Sequence, residues 1–214
     1  MTIQLYQGDC LEIMRGMDVI DVVVTDPPYG IGENNRKNLS RDNRTHPIDY
    51  GDFDWDEKRV GPEYIREILR VSKQQVIFGG NYYADLLPAS SSWIVWDKLR
   101  SGDFADCELA WTSHTKAVRK FAYLWNGMMK QHPERRYHPT QKPLSLMTWV
   151  ILNYTEPGDT VLDPFCGSGT TGVACIQTGR NFIGIDRGAH WIDVTRRRIE
   201  QAQAQLSLFS EAQL

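Results

Sequence analysis

The sequence predicts an α/β protein organised on a mostly parallel sheet, and three stretches carry that prediction. Val22-Val23-Val24 is a run of β-branched residues, the mark of a strand buried on both faces, and Asp26-Pro27-Pro28-Tyr29 begins where that strand must stop. Glu63–Val71 has apolar residues at helical spacing (Ile65, Ile68, Leu69), and the apolar run Gln75–Phe78, closed by Gly79-Gly80, follows it as a strand. Thr160–Asp186 reads as a strand, a glycine-rich turn, a helix through Cys175 and Gln177 capped by Gly179, and a strand ending in an acid.

The other elements follow in chain order. Ile3–Tyr6 alternates as a short strand closed by Gly8-Asp9, and Leu11–Met17 suits a short helix. Ile31–Gly61 is rich in Asn, Arg and Asp without a clear period and is expected to be a lid loop. Tyr82–Leu87 is expected as a helix stopped by Pro88, Trp93–Trp96 and Glu108–Thr112 as strands, and Pro143–Tyr154 as a helix. A closing helix runs from about Trp191 to Ala204; its Arg196-Arg197-Arg198 reads as a solvated face.

A chain of 214 residues with 41% hydrophobic content can bury one full core, so a single domain over 1–214 is expected. The net charge of −3 means that a nucleic-acid ligand would need a local basic patch. Cys10, Cys107, Cys166 and Cys175 lack C-x-x-C spacing, which argues for reduced packing thiols and against a metal site. No apolar run approaches membrane-spanning length and the first residues lack a signal pattern, so an intracellular, cytoplasmic protein is expected.

The residues with the clearest chemistry lie at strand ends. Two prolines stiffen the Asp26–Tyr29 loop and turn its carboxylate and ring outward, at the carboxyl end of a strand where open α/β sheets bind ligands. Taken alone, the segment is equally a proline-rich turn. The glycine-rich turn after Thr160–Leu162 allows close backbone approach, and Asp186, about 20 residues on, suits two ribose hydroxyls. Lys116–Lys142 sets seven cations against Glu134 and interleaves Phe121, Tyr123, Trp125 and Tyr137, a pattern that fits phosphates and bases as well as an irregular solvated surface.

D-P-P-Y at Asp26–Tyr29, H-P-T-Q-K-P at His138–Pro143, D-P-F-C-G-S-G at Asp163–Gly169 and F-I-G-I-D at Phe182–Asp186, in that order, resemble the permuted β group of amino-methylating DNA methyltransferases. The resemblance implies a doubly wound, circularly permuted, seven-stranded Rossmann-like sheet, with the D-P-P-Y strand beside the strand of the glycine-rich turn. It implies S-adenosylmethionine as cofactor, held by Phe165, Cys166, Gly167, Ser168, Gly169 and Thr170, with Asp163 near its amino group and Asp186 on the ribose. Asp9 and Cys10 would edge the adenine ring, Thr140 and Lys142 would close the pocket, and Asp26 would face the methyl group.

By the same resemblance Asp26, Pro27, Pro28 and Tyr29 are catalytic. Asp26 and the Pro27 carbonyl would accept the two hydrogens of an exocyclic amine, and Tyr29 would stack on the flipped base. The family's cytosine enzymes usually carry serine where Asp26 stands, which selects adenine N6 of double-stranded DNA; cytosine N4, an RNA substrate, or a non-catalytic binding module are the alternatives. DNA contacts are expected from Arg36 and Lys37 of the lid and from Lys116, Arg119, Lys120, Arg135 and Arg136, with target readout reduced to about Ser113–Arg136. By the same resemblance a restriction-modification or phage setting, association with the nucleoid and a monomer or homodimer are expected. In the tail 205–214, Gln205–Phe209 is similar to the pentapeptide with which bacterial proteins bind the sliding clamp.

Overall fold

The computed structural model describes residues 1–31, 58–99, 105–126, 129–138 and 140–211, so most of the expected lid, with Arg36 and Lys37, lies outside the described residues. Strand β1 (Ile3–Gln7) passes through Gly8 to helix α1 (Cys10–Arg15), which Asp9 Oδ1 caps by accepting from Leu11 N at 2.9 Å. Strand β2 (Ile20–Thr25) ends at Asp26; helix α2 (Pro62–Arg70), with proline in its first turn, leads to β3 (Ser72–Phe78). Strands β4 (Trp93–Asp97), β5 (Cys107–Thr112) and β6 (Arg119–Ala122) follow, then a small hairpin of β7 (Trp125–Asn126) and β8 (Met129–Lys130). The chain closes with α3 (Leu144–Tyr154), β9 (Thr160–Asp163), α4 (Thr170–Thr178), β10 (Asn181–Asp186) and α5 (Ala189–Glu211).

The main sheet has the order β1-β10-β9-β2-β3-β5-β4-β6 and is parallel except where β5 pairs with β3 and β4. Its eight strands exceed the expected seven. At the far edge β6, drawn from the basic segment, completes β4 in parallel register while Phe121 packs on the core. Side chains of β2 alternate: Val22 and Val24 join the core under α3, α4 and α5, and Val23 joins the core under α1 and α2. The strand is therefore buried on both faces, as its unbroken β-branched run requires.

The neighbours β2 and β9 pair through Val22↔Val161 and Val23↔Leu162, and from them the chain winds in opposite directions. From β9 it passes over α4 to β10, and from β2 over α2 to β3, with α4 and α2 on opposite faces of the sheet. Such a divergence opens a crevice at the carboxyl ends of the two strands, where the loops cannot cover each other.

Four expectations are corrected. Tyr82–Leu87 forms no α-helix. A single 3-10 turn, Gly80–Tyr82, gives way to a turn in which Leu86 N and Leu87 N donate to Tyr83 O at 2.8 and 3.0 Å, and Pro88 cannot extend it. Helix α5 runs on to Glu211, past the expected end at about Ala204, so Gln205–Phe209 is helical; Ala, Gln and Leu without Gly or Pro sustain it. Arg198 is buried at 8% exposure instead of solvated, because it lies on the stripe of α5 that carries Trp191, Thr195 and Ala202 inward. Cys107 opens β5 as an exposed thiol, whereas Cys10, Cys166 and Cys175 pack inside. Among the described residues no helix is long and apolar enough to cross a membrane.

Asp163 fastens the switch point. Its Oδ1 accepts from Thr25 Oγ1 of β2 at 2.9 Å and from Phe165 N at 3.2 Å, and its Oδ2 accepts from Thr171 Oγ1 of α4 at 2.6 Å. Burial pushes this carboxyl up from 3.8 to about 6, against the pull of those three donors. A carboxyl raised in the folded state contributes stability that is full below pH 4 and lost as pH rises through about 6, by up to about 3 kcal/mol. In Asp163→Asn the amide can still accept from Thr25 and Phe165 and can donate to Thr171, so only the charge is removed. Urea unfolding of both proteins between pH 4 and 6.5 should show the variant gaining on the parent by up to about 3 kcal/mol as pH rises. A difference independent of pH would mean that Asp163 does not titrate in this range.

Candidate active site at the switch point

Neighbouring strands β1, β10, β9 and β2 each deliver one carboxylate to the same edge of the sheet: Asp9, Asp186, Asp163 and Asp26. A carboxylate offers roughly four lone-pair sites, and the partners of each decide what it can still accept. Asp163 is turned into its own chain, as described. Asp186 accepts from Gly167 N at 3.0 Å and Gly188 N at 2.8 Å, which leaves one site on each oxygen. Burial raises its pKa in spite of these donors. Asp9 Oδ2 accepts from Tyr64 Oη at 2.9 Å and from Arg187, whose Nη2 also donates to Tyr64 Oη at 2.8 Å. Partial burial would raise the Asp9 carboxyl, but the donors Leu11, Arg187 and Tyr64 hold it below the usual range.

Asp26 has two partners from different parts of the chain. Tyr29 Oη donates to Oδ1, and Lys142 Nζ donates to Oδ2. Burial pushes the Asp26 carboxyl up while Lys142 pulls it down and Glu108 adds to the rise. Burial would likewise depress Lys142, but Asp26 and Glu108 reverse the effect, so the ammonium is held charged. Glu108, on β5, lies below the usual range because Lys142 and Lys98 outweigh its burial.

The Tyr29 ring is held in place by the loop after β3. It stacks on Tyr82 with centroids 4.7 Å apart, and it lies so close over Gly79 that a Cβ there would sit 2.0 Å from Tyr29 Cε1. Gly79 also has φ +65°, so both space and backbone demand glycine. Tyr83 Oη donates to the Pro28 carbonyl, and Arg59 spans Asp85 (2.8 Å on both oxygens) and the Tyr82 carbonyl (2.6 Å) while bridging Tyr29 through the backbone. Pro27, Pro28 and Tyr29 are thereby fixed by a shell that no motif of the sequence announces.

On the β9 side Gly167, at φ +48°, has open space where a Cβ would point, so a ligand can approach the backbone there. Phe165 faces Tyr64 at 6.3 Å. Cys166 is buried, and burial pushes its thiol well up, as it pushes Cys10 to about 12, so both are protonated packing thiols at neutral pH. Ser168 and Thr170 are clamped by Arg198, whose Nη1 donates to Ser168 O at 2.6 Å, Ser168 Oγ at 3.1 Å and Thr170 Oγ1 at 3.1 Å; its guanidinium stacks 4.7 Å over Tyr137.

The H-P-T-Q-K-P segment joins both halves. Gln141 accepts from Tyr137 N at 2.8 Å and Ser168 Oγ at 3.3 Å and donates to Glu134 at 3.0 Å; Glu134 in turn accepts from Leu144 N at 3.1 Å. Thr140 bonds the His138 ring at 3.1 Å. Burial, with Arg136 and Lys142 nearby, drives His138 down to about 3, so it is neutral and packs edge-on against Trp191 at 4.4 Å.

The structure thus assembles Asp26, Tyr29, Thr140, Lys142, Asp163, Phe165–Thr170 and Asp186, with Asp9 and Cys10 one strand beyond. The basic residues are spread more widely. Lys116 donates to Asn153 O at 2.5 Å and faces Tyr154, and Arg119 and Lys120 stand on the edge strand β6, Lys120 paired with Asp97 at 3.1 Å. Exposed Arg135 lies over Tyr137 at 4.9 Å beside half-buried Arg136. Sequence reasoning missed Arg198, Glu108, Tyr64 and Tyr82. Arg198 had a usable signal in the helical spacing from Trp191 and Thr195, while the others lie in segments with no motif.

The family described as DNA methylase matches residues 89–197, half of the chain, including both the H-P-T-Q-K-P segment and the glycine-rich turn. Type II methyltransferase M2.DpnII of Streptococcus pneumoniae is 28% identical over 92% of this chain and 89% of its own length. Type II methyltransferase M.HinfI of Haemophilus influenzae is also 28% identical, over 92% of this chain and 68% of the relative. Among solved structures, the M1.HpyAVI complex with S-adenosylmethionine superposes with a TM-score of 0.61 at 27% identity, covering 92% of this chain and 100% of that one. A carboxylate after β2, a glycine-rich turn after the adjoining β9, and a family match that spans half of the residues lead to one conclusion: the chain belongs to the N6/N4 DNA methylase family.

Proposed function

We propose that this chain transfers a methyl group from S-adenosylmethionine to the N6 amine of an adenine flipped out of double-stranded DNA. The observation that carries the reading is Asp26, set at the switch point beside the glycine-rich turn, with one lone-pair site on each oxygen left over from Tyr29 and Lys142.

The donor set fits the cofactor. Asp186 keeps two acceptor sites for two ribose hydroxyls, and Gly167 leaves its backbone open to approach. Phe165 and Tyr64 supply aromatic walls, and the carboxylates along this edge suit a molecule with cationic centres. S-adenosylmethionine, when bound, supplies an electrophilic methyl carbon. The Arg198 clamp on Ser168 and Thr170 holds the turn that would carry it.

The chain's task is to make a poor nucleophile reactive. The lone pair of an exocyclic base amine is delocalised into the ring. Asp26 accepts one N–H and the Pro27 carbonyl the other, which draws the nitrogen toward a tetrahedral shape with its lone pair aimed across the crevice. The amine lies inside the stack in a duplex, so the base must be extruded. Tyr29, backed by Tyr82, offers the aromatic wall for it, and Tyr82 keeps 39% of its surface exposed. The thiols play no part, since a cysteine nucleophile is needed only for methylation at ring carbon.

Two measurements test this. Nucleoside digestion of DNA treated with the protein should yield N6-methyladenine; N4-methylcytosine alone would sink the adenine assignment. Asp26→Ala should lower turnover by about 10²–10⁴-fold while S-adenosylmethionine binding by calorimetry changes little. Loss of binding with turnover per bound cofactor intact would place Asp26 on the cofactor instead of the amine.

A further inference from the structure

The cation that holds Asp26 does not serve Asp26 alone. Lys142 Nζ, on a side chain only 9% exposed, also lies 3.3 Å from Glu108 Oε2. The other oxygen of that carboxylate, Oε1, lies 2.6 Å from Lys98 Nζ, just beyond β4. Asp26, Lys142, Glu108 and Lys98 thus form a line of alternating charge, and Lys98, at 17% exposure, is its outer end. Aromatic rings flank the line: Phe78 lies 5.4 Å from Lys142 Nζ and Trp96 lies 5.1 Å from Lys98 Nζ. Such walls exclude water and strengthen each charge's hold on the next.

Glu108 belongs to none of the motifs. It sits in β5 opposite Trp96, in the antiparallel strand between β3 and β4, and its Oε2 is fully buried. A buried carboxylate oxygen facing an ammonium that is already paired with another carboxylate calls for a reason, because one partner would suffice to neutralise Lys142. The reason lies in the proton balance of amine methylation. The product nitrogen carries one proton too many. An N–H bond must break with its electron pair staying on nitrogen, and an O–H bond must form on a nearby base, for which Asp26 is placed. A carboxylate paired exclusively with a buried ammonium would be too weak a base. Glu108 shares the ammonium and adds a second negative charge behind it.

We propose, on the reading that Asp26 serves the target amine, that Glu108 is a positioning residue for the methyl transfer: it shares Lys142 with Asp26 and so keeps the catalytic carboxylate oriented yet basic enough to take the amine proton. The groups that bear on Asp26 are Tyr29 on its own loop, Lys142 before α3, Glu108 on β5, Asp163 on β9 and Tyr83 behind the loop, with Lys98 acting through Glu108.

The test follows the Asp26 carboxyl by carbon-13 NMR in the protein without cofactor or DNA, its resonance assigned with Asp26→Asn. Glu108→Gln removes the shared charge without changing shape and should lower the Asp26 midpoint by about one pH unit. Glu108→Asp should return it toward the parent value. Lys98→Met releases Glu108 to pull harder on Lys142 and should raise it. The acidic limb of kcat against pH should move in the same direction for each variant. An Asp26 midpoint unmoved in Glu108→Gln, or activity lost with no movement of the limb, would overturn the proposal. If Glu108→Gln fails to fold, an unmoved midpoint in Lys98→Met overturns it equally. Because the carboxyl titration needs neither DNA nor cofactor, its failure is separate from a failure to find N6-methyladenine.

Discussion

A lysine whose side chain is only 9% exposed must find opposite charge, because an ammonium stripped of water costs several kcal/mol unless it is paired. Lys142 meets that demand across 116 residues of sequence by pairing with Asp26, and across β5 by pairing with Glu108. The pairing draws the end of the H-P-T-Q-K-P segment over the loop that follows β2. From there the order of the site follows. Gln141, one residue earlier, is held against Ser168 of the glycine-rich turn, and His138 is packed neutral against Trp191 of α5. The three motifs, far apart in the chain, are thus fastened to one another by buried polar contacts.

The sheet supplies the place where this can happen. Parallel strands bring their carboxyl ends to one edge, and the reversal of winding between β9 and β2 leaves a crevice there. Asp163 locks the reversal by bonding β2 and α4 at once, and three of its lone-pair sites are taken up in doing so. Its neighbours Asp26 and Asp186 keep acceptor sites. The division between a structural acid and two receptive ones comes from their partners, since all three are aspartates at the ends of parallel strands.

Much of this was legible in the residues. The run Val22–Val24 could only be a strand buried on both faces, and the glycine-rich turn between β9 and α4 declared itself by composition. Helix α5 was legible in position but not in extent, because no Gly or Pro marks its end. The turn at Tyr82–Leu87 has helical spacing, yet Tyr83 is drawn inward to the Pro28 carbonyl, a tertiary demand that local pattern does not carry. Glu108 and Arg198 were missed for a related reason. Each is a charged residue whose meaning depends on a partner more than 25 residues away, Lys142 for one and Ser168 for the other. The basic segment is divided between two places: its strand β6 lies at the edge of the sheet, while Arg136 stays beside His138.

The most direct test of the amine-binding role proposed for Asp26 is a crystal structure with a non-reactive S-adenosylmethionine analogue and a duplex carrying the target adenine. The expected result is an extrahelical adenine whose N6 lies about 3 Å from both an Asp26 carboxylate oxygen and the Pro27 carbonyl, against the Tyr29 ring. A base bound elsewhere, or seated with N6 turned away while Asp26 remains engaged only by Tyr29 and Lys142, would contradict it.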